Sequence, residues 1–114
     1  MIEGKPYSLD NLSEYLGNDE DQIKEMIRLF LDTIPPDVDQ MINYSDGKQW
    51  EDVYKLAHRI KPTFEVFQMH DLHAEIKTIE IIARQGNEDD TLDIHLGRFL
   101  KGFNLVKDML EYEL

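Results

Sequence analysis

His58 and Lys61 are the residues best suited to chemistry, three positions apart and so on one face of any helix that carries them. A neutral imidazole near pH 7 is a competent nucleophile. An ammonium one turn away can balance the charge of an anionic reactant such as a phosphoryl group. Around this pair, Trp50, Val53, Ala57, Ile60, Phe64 and Phe67 recur at helical spacing. At about 100° per residue, that apolar stripe points some 130 to 160° away from His58. The ring is therefore expected to face solvent, together with Glu51, Tyr54, Lys55, Arg59, Lys61, Pro62, Glu65 and Met69. Lys55, Arg59 and Lys61 would form a small basic patch beside it. Pro62 removes the N–H that would bond the His58 carbonyl, and its compact ring leaves room for another protein to approach.

The remaining histidines are His70, His73 and His95. His70 and His73 stand three apart, and with Asp71 or His95 they could be imagined as a metal site inside a bundle. No Glu-x-x-His pair accompanies them and no His-Glu-x-x-His motif occurs, so capping and solvation account for them and no metal is expected. The acidic runs Asp19-Glu20-Asp21 and Glu88-Asp89-Asp90 lack the spacing of a calcium loop. They fall where helix N-termini favour negative charge. Ser8, Ser13 and Ser45 have no nucleophile-elbow sequence around them.

Helices must position these groups. Ser8, Leu12, Tyr15 and Leu16 suit a short capped helix ending at Gly17-Asn18, expected as a lid. A second helix follows Asp19 with the stripe Ile23, Ile27, Phe30, Ile34, Val38 and Met41, in which Pro35-Pro36 is expected to cause a kink and no chain reversal. Ser45-Asp46-Gly47 breaks the pattern, and the His58 helix is expected over roughly 48 to 68. Asp71 can cap a fourth helix carrying Leu72, Ile76, Ile79 and Ala83 as far as Gln85-Gly86-Asn87. Glu88 to Asp90 would charge the start of the last, with Leu92, Leu96, Phe99, Phe103, Val106 and Leu110. No segment alternates with period two. The fold class is all-α: an antiparallel up-down four-helix bundle with a short additional N-terminal helix, joined by connections of about 2 to 5 residues.

The chain of 114 residues is sized for one domain, expected over 1–114. Twelve Lys and Arg against 24 Asp and Glu give a net charge of −12, which repels nucleic acid and anionic membrane surfaces. Cysteine is absent, which removes disulfides and thiol chemistry and suits a cytoplasmic location. No apolar run approaches the roughly 20 residues of a membrane helix, and no export signal leads the sequence. The apolar seam of the last helix could pair two chains, but beside three other apolar helices it serves its own core, so a monomer is expected.

Leu56-Ala57-His58-Arg59-Ile60-Lys61-Pro62-Thr63-Phe64, with Leu72 and the helix up to Ile79-Glu80, resembles the histidine-containing phosphotransfer (HPt) domain. That family's pattern is roughly A-H-x-L-K-G-S, then a glycine before the next helix. Ala57, His58, Ile60, Lys61 and Thr63 match it, while Pro62 and Gln68 stand where the family most often has glycine. The resemblance covers roughly residues 8 to 114. It implies a phosphorelay module in which His58 accepts a phosphoryl group from one receiver-domain aspartate and passes it to another, with Lys61 steadying the phosphate. It further implies partners among response-regulator receiver domains and a hybrid sensor histidine kinase. No ATPase or kinase activity and no cofactor of its own are implied, the Mg²⁺ being carried by the receiver. Docking would rest on Tyr54, Lys55, Arg59, Pro62, Glu65 and Met69, helped by the neighbouring surface of the second helix. The competing reading is a helical adaptor that docks receivers or other signalling proteins without moving phosphate.

Overall fold

Five helices hold most of residues 5–114, the part of the chain that a computed structural model describes. They are α1 (Asp10–Leu16), α2 (Glu20–Asp46), α3 (Trp50–Val66), α4 (His70–Arg84) and α5 (Leu92–Glu113), with no strand among the described residues. The first four residues of the expected 1–114 domain lie outside that description. The four long helices pack as neighbours in the cyclic order α2, α3, α4, α5, the up-down arrangement that short turns impose.

The stripes read from the sequence are the faces that meet. Ile27, Phe30, Ile34, Val38 and Met41 of α2 face Val53, Ala57, Ile60 and Phe64 of α3, and the α4 and α5 stripes close the interior. Ile23 and Trp50, at the ends of their stripes, are only partly covered. All five phenylalanines lie in this core: Phe99 stacks on Phe103 at 5.7 Å, and Phe64 meets Phe99 edge-on at 5.5 Å. Such pairs add to the energy of burying the rings.

Helix ends follow local chemistry. The Asp19 carboxylate accepts the N–H groups of Asp21 and Gln22 and so caps α2. Gly17 ends α1 in the left-handed conformation, φ 65°. Helix α2 runs on through Pro35 and Pro36 with no chain reversal. Three boundaries differ from expectation. The fourth helix begins at His70, so Asp71 lies inside its first turn and Met69 occupies the cap position without a side-chain bond. The α4–α5 connection occupies residues 85–91, longer than foreseen, and Glu88 to Asp90 sit in that loop. There the side chain of Asn87 accepts the Leu92 N–H at 3.1 Å, a reach across the loop that spacing does not reveal. The third helix stops at Val66 because Gln68 turns left-handed, φ 52°.

The N-terminal segment crosses one end of the bundle, as a lid would. Its Tyr7 hydroxyl donates to Glu113 of α5 at 2.6 Å, the Ser8 N–H donates to the Phe67 carbonyl, and the Asn11 N–H donates to the Gln68 side chain. Ser8 contributes one further contact, its hydroxyl accepting the Asp10 N–H.

Candidate functional site

Leu56, Ala57, Ile60 and Phe64 press the inner face of α3 into the core, and that rotation turns His58 outward with 64% of its side chain exposed. Beneath the ring lies a carboxylate. Glu80 of α4 places Oε2 at 2.5 Å from His58 Nδ1 and Oε1 at 2.6 Å from Lys61 Nζ. The Glu80 side chain is only 10% exposed. Burial alone would raise its pKa, but the hydrogen bonds from Lys61 and His58 and their charges outweigh it and hold the carboxyl below the usual value.

An ionised carboxylate only accepts, so the hydrogen in the His58–Glu80 contact belongs to the imidazole Nδ1. In the neutral ring this leaves Nε2 with its lone pair, and no described side chain bonds it. One anchored nitrogen and one open nitrogen are what a nucleophilic imidazole requires. Lys61 is tethered beside it by the second oxygen, three-quarters covered.

Glu80 escaped the sequence reading as a site residue, although a signal existed. It follows Ile76 by four positions and precedes Ala83 by three, within the apolar register of α4. A carboxylate at such a position must find a cation or a donor. Arg84, one turn further on, was also missed. Its guanidinium lies 5.6 Å from the centre of the Tyr54 ring, and Tyr54 in turn lies 6.1 Å from the His58 ring.

The remaining expected residues divide. Tyr54 is half-buried at the site, and Lys55, Arg59, Pro62 and Glu65 are exposed. Met69 is fully buried and cannot take part in docking. Its projection beside His58 assumed a helix to residue 68, whereas the left-handed turn at Gln68 brings the chain inward and the Met69 N–H bonds the Phe64 carbonyl. The basic patch is also modified. Lys55 pairs with Glu51 at 3.6 Å and Arg59 with Asp37 of α2 at 2.9 Å, so of the three cations only Lys61 joins the His58 cluster. Such exposed pairs are weak and open readily to a partner.

The structure does not bring His70, His73 and His95 together. His95 is bonded to Glu75 at 3.0 Å, His73 faces Glu65 at 3.9 Å, and His70 is exposed. Among the described residues no group of three or more side chains could hold a metal ion. None of their helices is long and apolar enough to cross a membrane.

The family assignment rests on a match over most of the sequence, independent of this geometry. The chain belongs to the Hpt domain family, whose model matches residues 25–112, from within α2 almost to the end of α5. Comparison with curated proteins and with solved structures yields no match. Hpt domains serve histidine phosphotransfer in two-component signalling and typically interact with receiver domains and kinases.

Proposed function

We propose that His58 is the phosphoacceptor and that the chain relays a phosphoryl group between receiver aspartates. The observation that carries this reading is the division of labour on the ring: Nδ1 bound to Glu80, Nε2 open to solvent. In the forward step the Nε2 lone pair attacks the phosphorus of an aspartyl phosphate. The N–P bond forms, the acyl O–P bond breaks, and the receiver's carboxylate leaves. The ring then carries positive charge, which the Glu80 carboxylate opposes while the Nδ1 proton stays in place. Lys61 balances the charge on the phosphoryl oxygens. The reverse step returns the group to a second receiver, and the divalent cation of the transfer belongs to the receiver's acidic pocket.

Tyr54, Lys55, Arg59, Pro62 and Glu65 form the docking rim, joined by Arg84 from α4 and Asp37 from α2. Incubation with a receiver carrying labelled phosphate is expected to give acid-labile label on this chain, and none on His58→Gln. Label that persists in His58→Gln would reject the assignment. Receiver binding without transfer to the intact chain would select the adaptor reading.

A further inference from the structure

Helix α5 presents a second pattern on the side away from the core. Ile94, Arg98, Lys101, Leu105, Asp108 and Tyr112 follow one another in steps of 4, 3, 4, 3 and 4, the spacing of a helix–helix seam. The inward stripe is spent on the bundle, with Leu92, Phe99, Phe103, Val106 and Leu110 all buried. On the outer stripe Ile94 is 56% exposed, Leu105 55% and Tyr112 94%. No described element covers it.

The charges on this stripe choose a partner. Taken about the level of residue 103, Arg98 and Asp108 are symmetrically placed, as are Ile94 with Tyr112 and Lys101 with Leu105. We infer that this face of α5 pairs antiparallel with α5 of a second copy of the chain about a two-fold axis at that level. Each Arg98 then meets the other copy's Asp108, each Ile94 packs on a Tyr112, and each Lys101 lays its stem along a Leu105. A parallel pairing would set Arg98 on Arg98 and Lys101 on Lys101, so the charges select the antiparallel register.

A second observation points the same way. Gly97 lies inside α5 beside this stripe, and a Cβ built there would meet nothing within 4 Å. Glycine weakens a helix interior relative to alanine, and no contact within the chain requires it here. In the antiparallel pair Gly97 flanks the contact, where the missing side chain lets the second copy approach closely. Helices α3 and α5 are diagonal in the bundle, so the pairing leaves His58 open on both copies.

The inference departs from the monomer expected from the apolar seam alone, and it does not depend on the phosphotransfer reading. Sedimentation equilibrium of the full chain over a concentration series to about 1 mM tests it. The weight-average mass is expected to rise from 13.5 kDa toward twice that value. Arg98→Asp and Asp108→Arg alone should each weaken association about tenfold, and the double exchange should restore it to within about twofold. All these positions are exposed, so helical content and melting temperature should stay constant across the set. A wild-type mass that remains at the monomer value throughout, or a double exchange no better than either single, would overturn the inference.

Discussion

Glu80 supports His58 from below, its Oε2 at 2.5 Å from the ring Nδ1 while the ring itself remains largely in solvent. The two residues lie 22 positions apart on successive helices, so the tight α3–α4 packing sets the orientation of the imidazole. In the proposed transfer Glu80 is a positioning residue: it would fix the tautomer and oppose the charge that develops on the ring. Glu80→Gln keeps the shape and removes the charge. Phosphoryl transfer to His58 is expected to slow by about tenfold, the scale on which losing the group that orients a working histidine is felt. The check is the rate of label transfer at saturating receiver, and a rate equal to the parent's would remove Glu80 from the mechanism.

The same carboxylate makes stability depend on pH in a definite direction. Its pKa is lowered in the fold, so as acid is added the unfolded chain binds the proton first. The stabilisation it supplies is complete above the unfolded value of about 4.3 and is lost as pH falls from there through the folded value. The difference in urea midpoint between the parent and Glu80→Gln should therefore shrink as pH falls below about 4. A difference that widened as pH fell below about 4 would contradict the sign.

Lys61 lends itself to a cleaner separation of roles. Lys61→Ala leaves one oxygen of Glu80 without its donor and should cost about 1 to 3 kcal/mol of stability. It should also slow transfer about tenfold, by removing the cation that balances the phosphoryl oxygens. Lys61→Arg restores the charge. Recovery of stability together with rate is expected, and recovery of stability alone would confine Lys61 to holding Glu80.

The clasp at the other end of the bundle should act on stability alone. Tyr7 is buried and donates to Glu113, which in turn lies 3.3 Å from Lys5. That hydrogen bond, the leading cause, holds the Glu113 carboxyl below its ordinary pKa, and burial together with the bond raises the phenol's. Tyr7→Phe is expected to cost about 1 kcal/mol at neutral pH, read as a lower melting temperature, with transfer to His58 unchanged. The cost should fade below about pH 4, where protonation of Glu113 removes the charged acceptor.

How much of this was legible beforehand depended on the range of each interaction. The apolar stripes of α2 to α5 repeat every three or four residues, so periodicity alone gave the bundle, the outward His58 and its neighbour Lys61. Met69 was misplaced because its position depends on where α3 stops, which the backbone conformation of a single residue, Gln68, decides. Glu80 and Arg84 required knowing which faces of α3 and α4 meet, a relation between residues 19 to 30 positions apart. The pairing of Arg59 with Asp37 is of the same kind. A buried-register carboxylate was the one local trace that the sequence held of any of these.

Gln68 carries the last prediction, because two effects at one residue oppose each other. Its φ of 52° is a conformation that costs a non-glycine residue about 1 kcal/mol. Its side-chain oxygen accepts the Asn11 N–H at 3.3 Å and so ties α1 to the α3–α4 turn. A hydrogen bond of that kind contributes about 1 kcal/mol. Gln68→Gly relieves the strain and loses the tie, so its stability should lie close to the parent's. Gln68→Ala loses the tie and keeps the strain, so it should fall about 1 kcal/mol below both in urea unfolding. Should the alanine variant match the parent, the Asn11 contact contributes nothing, and α1 is held to the bundle by its buried Leu12 and by Tyr7.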